Sequence, residues 1–221
     1  MWNSPSKKKP EKNDPPTDNS RTHIDHNLAS QMFQADLNRF LSQLYDPSCE
    51  IIILCIGTDR STGDSLGPLV GSKLVALGLN AATIFGTLDF PVHAVNLQQI
   101  IAQIRSQYSK PFIIAVDACL GRFESIGYIS IKEGPLQPGT GVNKNLPAVG
   151  DLQIVGIVNV GGFMEYMVLQ NTRLNLVMKM ADIIGRGIFY EVQKINQQLD
   201  MALSPEFPLA LETLPAAKNV F

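Results

Sequence analysis

Two kinds of hydrophobic pattern alternate along this chain. Ile51-Ile52-Ile53-Leu54-Cys55-Ile56 and Phe112-Ile113-Ile114-Ala115-Val116 are apolar without interruption, the pattern of strands buried on both faces of a parallel sheet. Leu152 to Val160 predicts a further core strand, and Ala82-Thr83-Ile84-Phe85 a short one. Between them the apolar positions recur at helical spacing. Phe33, Leu37, Phe40, Leu41 and Leu44 mark one face of a helix over 27–45. Leu66, Leu69, Val70, Leu74 and Leu77 mark a second, and Val92, Val95, Leu97, Ile100, Ile101 and Ile104 a third. Residues 163–170 and 174–199 are again helical in pattern. Strand alternating with helix is the sequence form of a parallel sheet with right-handed crossovers.

The pattern weakens elsewhere. Ser125 to Ile131 alternates apolar with small or polar residues, which predicts a more exposed edge strand. Glu133 to Val149 carries three prolines and three glycines and reads as a long loop. Residues 1–25 mix lysines, acids and prolines with almost nothing to bury, the composition of a disordered tail. The expected organisation is a single domain over 26–200, with an irregular C-terminal tail over 201–221.

Composition narrows the function classes. A chain of 221 residues, 45% hydrophobic, can build one good core. A net charge of −2 gives no general attraction to nucleic acid or acidic membranes. No apolar run approaches the ~20 residues of a membrane helix, and the start of the chain lacks the apolar centre of a signal peptide. Cys49, Cys55 and Cys119 are odd in number and lack metal-ligand spacing. A reducing, cytoplasmic setting is expected.

In a parallel sheet, sites form in the loops beyond the carboxyl ends of the strands. The loops after the four core strands would bring together Asp64, the Asp89–His93 segment, Asp117 and Gly161-Gly162. Asp64 follows the glycine loop Gly57 to Gly63, and Asp117 ends an otherwise apolar strand. Two acids there can act as one ionised and one protonated carboxyl, activating water and protonating a leaving group. They can equally hold a divalent ion, or be an N-cap and an Asx-turn. His93 is a candidate site residue or a helix-end histidine. A nucleophile elbow and a dinucleotide fingerprint are both missing.

Several of these segments resemble a known group of enzymes. Ile56 to Gly71 is similar to the first motif of the spore germination protease and of the hydrogenase maturation proteases, where a glycine loop delivers an acid. Ile114 to Ala118 resembles the strand delivering their second acid. Pro138-Gly139-Thr140-Gly141-Val142-Asn143-Lys144 resembles the Pro-Gly-Ser-Gly-Val loop of the germination protease, and Ile157-Val158-Asn159-Val160-Gly161 the strand after it. Gly86 to Leu97 looks like the signature of a smaller family of sporulation proteins related to that protease.

The resemblance implies a three-layer α/β/α fold with a mostly parallel sheet of about five strands, like that of the hydrogenase maturation proteases. It implies an aspartic-type endopeptidase of spore formation or germination, with Asp64 and Asp117 catalytic. His93, Gly139, Thr140, Gly141, Asn143 and Gly161 would bind the substrate. In the maturation proteases the corresponding acids help hold nickel with a histidine from a later loop; here that loop, Gly139 to Lys144, has none. No resident cofactor is expected, with a divalent metal at Asp64 and Asp117 left open. The expected partner is a protein or peptide substrate, such as a small spore protein, with no direct nucleic-acid or membrane contact and with oligomerisation left open. A binding or scaffold protein of the same fold, and a metal-dependent maturation-type hydrolase, stand as the alternatives.

Overall fold

A computed structural model describes residues 19–139 and 146–203. Its elements run β1 (Asn19–His23), α1 (Ala29–Leu44), β2 (Glu50–Cys55), α2 (Leu66–Ala76), β3 (Thr83–Phe85), α3 (Leu97–Gln107), β4 (Pro111–Gly121), β5 (Tyr128–Glu133), β6 (Leu152–Val160), α4 (Glu165–Gln170) and α5 (Leu174–Leu203). Short 3₁₀ turns precede α2 at Gly63–Ser65 and β5 at Phe123–Ser125. The described strands form one sheet in the order β1-β5-β6-β4-β2-β3. β3, β2, β4 and β6 run parallel, and β5 and β1 add antiparallel to the β6 side.

The uninterrupted apolar runs sit where both sheet faces are covered. Ile51, Ile53 and Cys55 point to one face and Ile52, Leu54 and Ile56 to the other, and all are buried. The first face is roofed by α1, α2 and α5, through residues such as Phe33, Leu74 and Ile184. The second is roofed more narrowly. Its core draws on Leu97, Ile101 and Ile104 of α3, with Val92, Leu136 and Val149, over strands β2 and β4. Among the described residues the result is a three-layer α/β/α arrangement whose second outer layer packs over β2 and β4 rather than over the antiparallel half of the sheet.

Three expectations need correction. The segment read as a tail through residue 25 contributes strand β1 at Asn19–His23. Nothing apolar announces it: Asn19, Ser20, Arg21, Thr22 and His23 are held by a main-chain ladder to β5, with Ser20 and Thr22 buried and the Ser20 hydroxyl bonded to Asp36. Backbone pairing, unlike apolar burial, leaves no trace in hydropathy. Consequently β5 is not an edge strand; β1 lies outside it. The last helix also runs past residue 200, to Leu203.

Candidate active site

The glycine loop after β2 is shaped by contact between backbones. Gly57 has φ +140°, and a Cβ there would collide with the carbonyl oxygen of Asp64. A Cβ on Gly67 would strike the carbonyl oxygen of Ile56. Glycine at both positions lets the start of α2 sit directly on the end of β2. The Thr58 N–H donates to the Asp64 carbonyl at 3.0 Å, closing the loop. Asp64 is thereby fixed inside the turn that leads into α2. Among the described residues neither Thr62 nor Ser65, the residues flanking that turn, makes a side-chain capping bond.

Asp117 reaches the same place from the neighbouring strand. It lies seven positions into β4, buried, with its Oδ1 accepting the Ala118 N–H at 2.8 Å. This bond to the next residue is not the Asx-turn geometry, which closes two residues on. Both acids border a cleft of about 840 Å³ and a second, adjoining cavity of about 410 Å³. Asp64, Asp117, Gly139 and Leu169 line both lobes.

Burial raises the Asp64 carboxyl above its usual range, opposed by the Thr58 N–H and by the charge of His93. Asp117 is raised well above that range, by burial first and by the charge of Asp64 second, with the Ala118 N–H opposing. Each term acts on the charged form in the expected direction. The arrangement separates two like groups: Asp64, half-buried beside a histidine, is the better anion, and Asp117 the better acid. Such a pair titrates as a unit.

His93 arrives through an extension of the sheet. Ile56 bridges to Val92 in parallel, and the Gly57 N–H donates to the Val92 carbonyl at 2.8 Å. The His93 Nδ1 accepts the Val95 N–H at 3.3 Å, so this histidine is tied to the start of α3. It also lines the smaller lobe together with both acids.

Gly139 lines both lobes and Gly161 the larger one. Gly161 donates to the Gly121 carbonyl at 2.8 Å, and the next amide, at Gly162, is held by the Glu165 carboxylate at 3.1 Å. Thr140, Gly141 and Asn143 lie outside the described residues.

The structure adds residues that sequence reasoning missed. Arg21, Ser130, Lys132 and Gln153 line the larger lobe, and Ser61 and Tyr166 the smaller one. The alternation of Tyr128 to Lys132 places Ser130 and Lys132 on one face, a legible signal. Arg21 was hidden by the tail reading. The Ser61 hydroxyl is buried without a hydrogen-bond partner among the described residues. Cys119, beside Asp117 in the larger lobe, has its thiol pushed up to about 11 by burial and the Asp117 charge, against Lys132 and Arg21.

Among the described residues no three His, Cys, Asp or Glu side chains gather at metal-holding distance. Two carboxylates without a third protein donor do not reproduce the acid-and-histidine set that nickel recognition in the maturation proteases implies.

Comparison with known proteins places the chain in a family. The model of a family described as "Protein of unknown function (DUF1256)" matches residues 21–187. The chain belongs to the DUF1256 family. Within this family's reach, the chain is 62% identical over 138 residues to "Uncharacterized protein YyaC" of Bacillus subtilis (strain 168). That match covers 62% of this chain and 67% of the relative. Among solved structures, the chain is similar to the [NiFe] hydrogenase maturation protease HycI from Thermococcus kodakarensis KOD1. The TM-score is 0.47 and the identity 18%, over 70% of this chain and 99% of that one. Among the described residues of this DUF1256 protein, no helix is long and apolar enough to cross a membrane.

Proposed function

We propose that this protein is an aspartic-type endopeptidase that cuts a protein substrate with the Asp64–Asp117 pair. The observation that carries the reading is the pair itself: Asp64 in the turn after β2 and Asp117 within the adjacent parallel strand β4, with the Asp117 proton affinity raised by burial first and by Asp64 second. Structural acids rarely sit as a charged neighbour to a buried carboxyl without a cation between them, because such repulsion costs stability.

In the proposed reaction the ionised Asp64 takes a proton from a water molecule as its oxygen attacks the scissile carbonyl carbon. Asp117 gives its proton to the carbonyl oxygen, and a neutral tetrahedral intermediate forms. Asp64 then passes its proton to the departing amine nitrogen as the C–N bond breaks. The intermediate returns a proton to Asp117, and the pair is reset. The charge of His93 favours the ionised form of Asp64, and Gly139 and Gly161 let the substrate backbone approach the acids. No organic cofactor is needed. The lobes on either side of the acids suit a chain that passes across them.

The resemblance of Ile56–Gly71 and Ile114–Ala118 to the germination protease supports the cytoplasm of a spore-forming cell as the setting and small spore proteins as substrates. The test is incubation of a spore-protein extract with the wild-type chain and with folded Asp64→Asn and Asp117→Asn variants. A specific cut made by the wild type and lost in both variants is expected. Cleavage that persists in either variant would overturn the pair mechanism, and a folded wild type that cuts nothing would favour a binding protein of the same fold.

A further inference from the structure

Residues of β1, β4, β5 and β6 line the larger lobe. In register, Asp117 of β4 lies beside Val155 of β6, Val155 beside Ser130 of β5, and Ser130 beside Arg21 of β1. Register partners share a face, so these four residues make one row across the sheet, and all of them line the lobe. Lys132, two residues from Ser130, lies on the same face diagonally from Arg21. Arg122 lines the lobe from the end of β4. None of these three cations forms a salt bridge among the described residues. Arg21 instead stacks on the Tyr128 ring at 4.7 Å, which holds its guanidinium at the far end of the row.

We infer that this row is an anion-reading subsite for the substrate, in which Arg21 and Lys132 recognise an acidic side chain of the bound polypeptide. The inference rests on the proteolytic reading for the position of the scissile bond. Three strand spacings of ~4.8 Å separate Asp117 from Arg21, about 14 Å. An extended chain rises ~3.3 Å per residue, so the recognised acid lies about three to five residues from the bond cut. The two lobes then differ in character. The row side selects charge, and the side of His93, Val95 and Tyr166 accepts apolar groups.

The cations favour an acidic peptide over a nucleic acid. The chain carries net charge −2, and the catalytic carboxyls at the near end of the row repel a continuous phosphate backbone. A single carboxylate, placed four residues away, pairs with the cations and leaves the acids untouched.

The test uses the full chain and a fluorescently labelled peptide of alternating alanine and glutamate, its glutamine counterpart, and a single-stranded DNA of similar length. Binding is followed by anisotropy for the wild type, for Asp117→Asn, and for the double variant Arg21→Gln with Lys132→Gln. Both substituted cations are exposed, and a melting curve verifies each fold. The glutamate peptide is expected to bind the wild type and Asp117→Asn, and to lose about tenfold or more in the double variant. Equal binding of the glutamine peptide, no loss in the double variant, or tighter binding of the DNA would overturn the inference. Cleavage-site profiling separates this from the enzymatic reading. Binding as expected with no cleavage removes the protease and keeps the subsite; cleavage with no acid preferred at three to five residues removes the subsite and keeps the protease.

Discussion

Burial raises the proton affinity of Asp117, and the charge of Asp64 raises it further across the gap between the glycine loop and the neighbouring strand. Each acid is delivered by an independent piece of backbone logic, one by glycines that let a helix touch a strand end, the other by a strand that stays buried until its functional residue. What joins them is adjacency of β2 and β4 in the sheet. The chemistry follows from that adjacency, because a buried carboxyl beside a like charge holds a proton that an isolated aspartate would lose.

Stability supplies the first expectation. Asp117 holds its proton in the folded state at pH values where the unfolded chain, titrating near ~3.9, has released it. The folded state therefore binds more protons across that window, and stability falls as pH rises through it. Asp117→Asn removes the penalty. Its melting temperature should exceed the wild type's at pH 7, by about 2–4 °C for each kcal/mol recovered. The difference should vanish below about pH 3.9. Calorimetry at the two pH values checks it.

The same pair sets a pH profile for cleavage. One carboxyl must be ionised and one protonated, so the rate should fall on the acid side as Asp64 gains a proton and on the basic side as the pair loses its last. The basic limb should lie above the ordinary carboxylate range, since both acids are raised. In either single asparagine variant the rate should drop by about 10²–10⁴-fold. Initial rates against a peptide substrate across pH measure both effects.

His93 offers a subtler test. Its charge lowers the Asp64 pKa. His93→Gln should therefore move the acid limb of the profile to higher pH while leaving the fold intact, because the backbone contacts of Val92 carry the local structure. A uniform loss of rate with an unmoved limb would mean that His93 serves only to hold substrate.

Gly67→Ala tests the backbone contact that places Asp64. The added methyl meets the backbone of Ile56 at its carbonyl oxygen, carbonyl carbon and amide nitrogen, which cannot yield as a flexible side chain would. A loss of about 1–3 kcal/mol is expected, together with a fall in activity as Asp64 shifts. Denaturant unfolding of the variant gives the first number and a cleavage assay the second.

Much of this was legible in the sequence, and the parts that were not share a cause. Ile51–Ile56 and Phe112–Val116 declared themselves because strands buried on two faces must be apolar throughout. Asp117 stood out as the first polar residue after the apolar run Phe112–Val116, although the strand continues to Gly121, and Asp64 as the acid that closes the glycine loop before an apolar-periodic helix. Strand β1 did not, because Asn19–His23 is held by main-chain pairing with β5 and buries only small polar side chains. With β1 missed, β5 read as an edge and Arg21 as part of a tail, so the row from Asp117 to Arg21 could not be seen. The pairing of Asp64 with Asp117 also needed the structure, since spacing along the chain does not say which strands are neighbours.

The account stands or falls on whether the two carboxyls share a proton, and NMR can ask this directly. Carbon-detected titration of ¹³C-labelled aspartate side chains would follow Asp64 and Asp117 in the wild type and Asp117 alone in Asp64→Asn. We expect Asp117 to remain protonated above the ordinary carboxylate range, and its midpoint to fall when Asp64 is neutralised. Independent titration of both groups near ~3.9, unmoved by the substitution, would contradict the pair and the mechanism built on it.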